Sequence, residues 1–300
     1  MSGQVLIGTA SWTDKSLIES GRFYPPGATN AEARLQFYAA NFPLVEVDSS
    51  YYGMPSERNS ALWVERTPDH FTFDIKAFSL FTQHPTRPAA LPKDVREQLS
   101  PETLDKPNLY DKDLTAELRD ALWERFAEAL LPLDSAGKLG VVLFQFPPWF
   151  MPGRESFSYL DELTDRLPQY RPAVEFRNPR WLDDEHVERT LAFLSERGLP
   201  YVCVDEPQGT RASVPPVLAA TARMSVIRFH GRNREQWTRR GATVSEKYNY
   251  LYSTDELEEW VPGIKRLAGQ SEAVHILMNN CHEDKAVVNA KQLAMLLRDA

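Results

Sequence analysis

The sequence predicts a TIM-type (β/α)8 barrel, because strand-like segments alternate with helical ones and eight strand-like segments are present. They are residues 5–12, 44–52, 71–78, 140–149, 173–181, 201–207, 225–232 and 273–281. Helical periodicity marks residues 30–42, 115–131, 183–199, 254–269 and 284–300. Alternation of strand and helix predicts right-handed crossovers and a parallel sheet, and eight such units close a barrel.

An open doubly wound sheet is the alternative architecture. Its first strand would lead into a glycine-rich turn and a helix that bind a dinucleotide. The first strand is instead followed by "TDKSLIESGRFYPPG", which lacks that glycine pattern. We therefore expect residues 1–300 to form a single barrel domain, a length typical of this fold.

Residues 79–112 interrupt the alternation between the third strand and its helix. The stretch is rich in proline and polar residues, and we expect an insertion on the C-terminal face of the barrel. Long loops at this face are usually lids or binding elements, while a disordered decoration is the alternative.

Composition excludes several classes of protein. Hydrophobic residues make up 42% of the chain and charged residues 25%, which excludes wholesale disorder. No apolar run reaches the ~18 residues of a membrane span. A net charge of −8 disfavours a broad polyanion-binding surface but allows a local basic cleft. The N-terminus shows no signal peptide and only two cysteines are present, so we expect a cytoplasmic protein; the oligomeric state stays open.

Polar residues share one face of the predicted strands. Strand residues alternate between the helix-facing side and the barrel interior, so Val174 and Phe176 outside place Glu175 and Arg177 inside. The same alternation directs further polar residues inward: Glu46, Asp48, Asp74, Lys76, Gln145, Asp205, Arg228 and His230, with either Asn279 or Asn280 from the eighth strand. These groups crowd toward the strand C-termini, where TIM-barrel enzymes keep their chemistry. The alternative is a salt-bridged structural plug, but hydrophobic packing would often be as stable, so a site is favoured.

Aromatic and basic residues follow the strand ends. Trp12, Trp149, Trp181, Trp237, Tyr51 and Tyr52 are candidates for stacking on a sugar or base, or else for loop packing. Five arginines, Arg228, Arg232, Arg234, Arg239 and Arg240, surround the end of the seventh strand. Arginine forks match phosphate oxygens, and this part of a TIM barrel often binds phosphate, so the pattern predicts a small anionic ligand. A solvated charged loop is the alternative for Arg234, Arg239 and Arg240.

The segments "IGTASWTDKS", "VDSSYYGMP", "FDIKAF", "FQFPPWF", "VEFRNPRW", "RFHGRN" and "NNCHEDKAVVNA" occur in this order along nearly the whole chain. Together they resemble the YecE-like family, known as domain of unknown function 72. The resemblance implies a TIM-barrel-like fold and supports the position of the site. It implies no reaction, because the family has no established activity.

The residues themselves favour acid/base chemistry on a small anionic substrate, phosphorylated or sugar-like. Glu175 or Asp205 would be the base, and His230 or Lys76 the acid or electrostatic stabiliser. Substrate contacts are assigned to Arg177, Arg228, Asp48, Asp74, Asn279, Asn280, Trp12, Tyr51 and Trp181. Hydrolase, lyase and isomerase are not separable at this point.

Other functions stay open. A glycosidase would need Glu175 and Asp205 close together. The six histidines do not supply a zinc cluster, so no metal residues are assigned, although one Mg²⁺ or Mn²⁺ held by carboxylates stays an option as cofactor. Cys281 next to His282 is a disfavoured nucleophilic pair. A nucleic-acid-binding or -processing protein of the phosphodiester or abasic-DNA type, and a non-catalytic ligand-binding barrel, are the alternatives to a small-molecule enzyme.

Overall fold

The computed structural model describes residues 3–239 and 241–299 of the chain, and its eight strands form one parallel sheet. The strands are β1 (Gln4–Ala10), β2 (Leu44–Val47), β3 (Thr72–Lys76), β4 (Leu139–Gln145), β5 (Pro172–Glu175), β6 (Val202–Asp205), β7 (Met224–Phe229) and β8 (Ala273–Met278). Their order in the sheet is β5-β4-β3-β2-β1-β8-β7-β6. Val174 bridges Tyr201, and its amide donates to the Pro200 carbonyl at 2.8 Å, so β5 meets β6. The predicted TIM-like barrel is confirmed.

Thirteen helices lie in the described connections between the strands and after the last strand. They are α1 (Lys15–Ser20), α2 (Ala31–Ala39), α3 (Glu57–Glu65), α4 (Lys93–Arg96), α5 (Pro101–Leu104), α6 (Ala116–Ser135), α7 (Arg154–Arg166), α8 (Val187–Glu196), α9 (Arg234–Thr238), α10 (Val244–Lys247), α11 (Thr254–Glu258), α12 (Val261–Gln270) and α13 (Lys285–Asp299). In α6, the Thr115 hydroxyl caps the first turn by accepting from the Leu118 amide. Leu122, Phe126 and Leu130 then recur every four residues as a buried stripe.

Register fixes which strand residues share a face. Parallel partners point to the same side of the sheet, so Gln145 and Glu175, which are paired in register, both face the interior. The same rule puts Val204 beside Arg228 and Asp205 beside Phe229. Ring contacts between Phe229 and Trp260, which precedes α12, identify the outer face on β7.

The segment 79–112 is ordered and packs on the barrel, so the disordered alternative is wrong. It contains 3-10 turns at Ser79–Thr82, Pro88–Ala90 and Asp111–Asp113 together with α4 and α5. Thr86 and Leu109 form an antiparallel bridge across it. Phe81 stacks on Trp123 of α6 at 3.9 Å between ring centroids, so apolar contacts anchor the insertion to its helix.

The connection between β6 and β7 departs from the predicted alternation. Residues 206–223, all within the described chain, contain no helix. As for membrane insertion, the described helices include none with the length and apolar character needed to span a bilayer.

Candidate active site

Glu175, at the C-terminal end of β5, is fully buried at the centre of an ion-pair cluster. Its Oε2 lies 2.5 Å from Nη1 of Arg228, which extends inward from β7. Nε and Nη2 of Arg228 donate to the two carboxylate oxygens of Glu46 on β2, at 2.8 and 2.7 Å. One buried guanidinium therefore joins carboxylates from two strands, in the bidentate geometry that gives the strongest such pairs.

Arg177 adds a second cation on the other side of Glu175. Its Nε lies 2.7 Å from Glu175 Oε1, and its Nη1 donates to Glu206 Oε2 at 3.0 Å. Burial alone would raise the pKa of Glu175, but Arg228 and Arg177 outweigh it and hold that pKa well below its usual range. Glu175 is therefore a carboxylate. We call Glu46, Glu175, Glu206, Arg177 and Arg228 the arginine cluster.

His230 follows β7 and has both ring nitrogens engaged. Its Nε2 lies 3.2 Å from Glu175 Oε1, and the Asn279 side-chain amide donates to Nδ1 at 2.8 Å. These contacts assign the ring proton to Nε2, which donates to Glu175. Burial and the nearby Arg177 lower the pKa of His230 to about 3. The imidazole is thus neutral and held in one tautomer.

Beside the arginine cluster, a cavity of about 390 Å³ opens at the barrel mouth. Lys76 from the end of β3 and Asp48 from just beyond β2 both line it. Within the described chain, Lys76 Nζ makes no hydrogen bond and has no carboxylate oxygen within 4.0 Å. The Asp48 side chain contacts its own backbone amide but is hydrogen-bonded by no other described residue. The ring centroid of Tyr51 lies 4.7 Å from Nζ. We call this the mouth cavity.

Desolvation sets the protonation of these two groups. It lowers the pKa of Lys76 to about 8, helped by Arg228, and it raises the pKa of Asp48 against the attraction of Lys76. Ser50 Oγ lies 2.6 Å from the Lys76 carbonyl and 2.8 Å from that of Val47, which ties the ends of β2 and β3 together. Lys76 and Asp48 are therefore presented from two linked strand ends.

A family model described as "Protein of unknown function DUF72" matches residues 6–300. The chain belongs to the DUF72 family. The UPF0759 protein YunF of Bacillus subtilis (strain 168) is 34% identical to it over 297 residues, covering 98% of this chain and 94% of that protein.

Solved DUF72 structures share the fold along the whole chain. A DUF72 family protein from Enterococcus faecalis V583 matches with a TM-score of 0.79 and 26% identity, covering 98% of this chain and 96% of that one. One from Thermotoga maritima MSB8 matches with a TM-score of 0.75 and 28% identity, covering 98% and 99%. The resemblance seen in the seven sequence segments is thus confirmed.

Two of the predicted site residues of this DUF72 protein face away from the barrel interior. Asp205 pairs in register with the outward Phe229, and its carboxylate accepts from Arg232 Nε at 3.0 and 3.2 Å. The inward assignment of Asp205 was wrong. Glu175 faces the other side of the sheet, which does not fit the carboxyl pair that the glycosidase alternative requires. Asn280 also points outward, donating to the Tyr250 carbonyl and to Asn289, whereas Asn279, directly after β8, lines the mouth cavity.

Asp74 faces the interior, as predicted, but it does not line the mouth cavity. Its Oδ1 accepts from the Val141 amide at 2.9 Å, and both its oxygens lie 3.0 Å from His275 Nδ1. A Cβ at Gly140 would lie 2.1 Å from Asp74 Oδ1, so the side chain sits directly against the β4 backbone. Substrate contact predicted for Asp74 is therefore not supported by its position.

Two predicted rim aromatics are core residues. Trp12 packs edge-on to Trp63 and is 7% exposed, because the positive φ of Ser11 ends the alternation of β1 and turns Trp12 toward the helices. Trp181 is fully buried and stacks on the outward Phe176 at 4.3 Å. Neither tryptophan lines the mouth cavity, whereas Tyr51 does.

The arginines after β7 are engaged with protein groups. Arg232 contacts Asp205 and Glu259, Arg234 donates to the Gly209 carbonyl, and Arg239 pairs with Glu246. Arg240 lies outside the described residues. With Arg228 and Arg177 in the arginine cluster, the described arginines of this pattern have carboxylate or carbonyl partners instead of forming an open phosphate clamp.

The structure also bears on the metal site and the cysteine–histidine pair considered from the sequence. No three histidine, cysteine, aspartate or glutamate side chains in the described ranges are placed to hold a metal ion. Cys281 lines the mouth cavity, but its Sγ donates to the Ala10 carbonyl at 2.9 Å and burial raises its pKa well above the usual range. His282 instead contacts Ser245, so Cys281 and His282 do not form a pair.

Sequence reasoning missed Glu206 and Tyr248. Glu206 directly follows β6 and would have been found by reversing the alternation assumed for that strand. Tyr248, whose hydroxyl lies 3.3 Å from Arg177 Nη2, comes from the connection that follows β7. No periodic signal marks a residue in such a loop.

Proposed function

We propose that this DUF72 protein is an enzyme that performs acid/base catalysis on a small hydroxylated, sugar-like molecule in the mouth cavity. The observation that carries the proposal is that Lys76 and Asp48 line one cavity and neither is hydrogen-bonded by another described residue, while Arg228 and Glu46 beside them are paired. Groups that must exchange protons with a substrate need free lone pairs or protons. Their shifted pKa values support this assignment, because perturbed groups concentrate at functional sites.

The roles divide between the two sides of the mouth. Asp48 is the base or acid that reaches the substrate, and Lys76 is its partner or electrostatic stabiliser. Glu175 and His230 hold the arginine cluster in place, with their hydrogen-bonding capacity used within the protein. Gln145 and Asn279 line the cavity and offer amide hydrogen bonds to hydroxyl groups.

The charge of the lining favours a neutral substrate over a phosphorylated one. Asp14, Glu46 and Asp48 contribute three carboxyl groups, against the two cations Lys76 and Arg228. A phosphate would meet only one cation that is not already paired. The cavity volume of about 390 Å³ suits a molecule of sugar size, since small-molecule pockets measure roughly 300–1,000 Å³.

A thermal-shift screen tests this proposal. Sugars, sugar phosphates, nucleotides and short single-stranded or abasic DNA are added to the full chain, with and without Mg²⁺ or Mn²⁺, and each hit is followed by NMR for turnover. A ligand at about 100 times its Kd should stabilise the fold by about 2.7 kcal/mol. We expect sugar-class hits that disappear in Lys76→Met and Asp48→Asn but persist in Lys265→Met, a control at an exposed lysine.

The alternatives have distinct outcomes in the same screen. A bound sugar that is never converted would identify a non-catalytic ligand-binding barrel and overturn the enzyme assignment. Stabilisation by DNA alone, weakening as salt is added, would favour the nucleic-acid alternative instead. Hits that are unaffected by Lys76→Met and Asp48→Asn would show that the ligand binds outside the mouth cavity.

A further inference from the structure

We infer that Lys76 is a nucleophile that forms an imine with the carbonyl group of a small hydroxylated aldehyde or ketone. This inference rests on the proposed function, because it assigns a substrate class and a covalent step to the same cavity. It depends on three geometric observations: the free amine, the neighbouring carboxyl group and the locked strand ends.

The first observation is the isolation of the amine. An amine that acts as a nucleophile must present its lone pair, and one that donates to a carboxylate does not. Lys76 Nζ has no hydrogen bond and no carboxylate oxygen within 4.0 Å in the described chain, although Glu46 and Glu175 are close enough to act on it electrostatically. Arg228 and Arg177 bind those carboxylates and keep them from pairing with Lys76.

The second observation is the carboxyl group of Asp48, which lines the same cavity and is hydrogen-bonded by no other described residue. The neutral Lys76 amine attacks the carbonyl carbon, so that a C–N bond forms as the carbonyl π bond breaks and a proton moves from nitrogen to oxygen. The protonated Asp48 carboxyl then gives its proton to the hydroxyl group that has formed from the carbonyl oxygen. Water leaves, and a protonated imine and the Asp48 carboxylate remain.

The same carboxylate can complete the reaction. It removes a proton from the carbon next to the imine, the electron pair moves into an enamine, and Asp48 is again protonated. Reprotonation of the enamine at carbon and addition of the water lost earlier release the product and the free amine. Burial raises the pKa of Asp48, which favours a proton on this carboxyl more than on an exposed aspartate.

The third observation is preorganisation. Ser50 links the carbonyl groups that end β2 and β3, and Tyr51 places its ring 4.7 Å from Nζ. Lys76 and Asp48 thus reach the cavity from fixed backbone positions, which holds the nucleophile and the acid/base group in one geometry. Desolvation of Lys76, which lowers its pKa to about 8, leaves about half of its amines neutral at pH 8.

Reductive trapping tests the imine. The full chain is incubated at pH 8 with dihydroxyacetone or D-glyceraldehyde and sodium cyanoborohydride, and the modified lysines are located by peptide mapping. At that pH an ordinary lysine is neutral in roughly one molecule in 250, so we expect modification of Lys76 about 100-fold faster than that of Lys265. The rate at Lys76 should rise with pH and level off above about 8, whereas that at Lys265 keeps rising toward about 10.4.

Two variants separate chemistry from folding. Lys76→Arg keeps the positive charge and cannot form an imine, so it should lose the fast modification while its circular dichroism stays that of the parent chain. Asp48→Asn should keep the lysine but slow trapping by about 100- to 10,000-fold, the range typical of a lost acid/base group. Lys265→Met should trap at the parent rate.

Failure of the imine and failure of the proposed function are distinguishable. Modification of Lys76 no faster than that of Lys265 overturns the imine. If thermal-shift hits still require Lys76 in that case, the acid/base site stands and Lys76 acts only through its proton or charge. If the hits are also indifferent to Lys76, both proposals fall.

Discussion

On one side of the barrel mouth, Glu175, Arg228 and Glu46 form buried pairs with 2.5–2.8 Å contacts. On the other, Lys76 and Asp48 face a cavity and are hydrogen-bonded by no other described residue. Both sides consist of charged residues in or just beyond the C-terminal parts of the strands. A sequence pattern alone groups them as one polar interior. The contacts separate them into two groups. In the paired half, Arg228 forms ion pairs with Glu46 and Glu175; in the open half, Lys76 and Asp48 can exchange protons with a ligand.

The difference shows how a site of this kind is maintained. Unpaired carboxylates next to Lys76 would attract its ammonium group and raise the pKa of the lysine. Arg228 instead neutralises Glu46 and Glu175, and its own positive charge further disfavours protonation of Lys76. The ion pairs of the paired half therefore help to keep the pKa of Lys76 low. Substitutions in the two halves should accordingly have different effects on the stability of the fold.

The largest effect is expected from breaking the paired half. Arg228→Met should lower the free energy of unfolding by about 3–5 kcal/mol, because it leaves Glu46 and Glu175 buried without their shared cation. Urea denaturation measures the loss. Arg234→Met, at an exposed arginine, is the matched control and should change stability by less than about 0.5 kcal/mol. Similar losses in the two variants would show that Arg228 does not hold the cluster.

A smaller loss of stability is expected from a substitution that removes a hydrogen bond to His230. Asn279→Ala removes the donor to Nδ1 and should cost about 1 kcal/mol in unfolding free energy, since a buried acceptor loses its partner. In the parent chain, ¹⁵N NMR should show the His230 proton on Nε2 and no titration between pH 5 and 8, because the pKa lies near 3. A midpoint near pH 6.5 would contradict the assignment of His230 to the paired half.

Much of this arrangement could be predicted from strand alternation. Glu175, Arg177, Arg228 and His230 face inward because their strands carry aromatic or aliphatic residues on the outer side. In β6 the same reasoning failed, since Val202, Cys203 and Val204 are all buried and a parallel strand covered on both faces gives no alternating signal. Asp205 was consequently placed inside and Glu206 overlooked.

The separation into two halves was beyond the sequence for a different reason. Glu46 could pair with either Lys76 or Arg228, and in the structure it pairs with Arg228. That choice depends on how far the side chains reach across the barrel, which periodicity does not indicate. Trp12 shows the same limit, because the single positive φ at Ser11 redirects it into the core. Alternation predicts the face of a residue, whereas partners are decided by three-dimensional distances.

The smallest loss of stability is expected from Lys76→Met. Because the substitution removes a desolvated ammonium group and leaves no ion-pair partner behind, the free energy of unfolding at pH 7 should stay the same or increase. The pH dependence is more informative. The folded pKa of about 8 lies below the ordinary 10.5, so the unfolded state binds more protons between these values and the parent chain gains stability as pH rises through this window. Lys76→Met should lack that gain, and Lys265→Met should retain it. An equal pH dependence in both variants would mean that Lys76 is solvated like a surface lysine, and the contrast between the two halves of the mouth would then disappear.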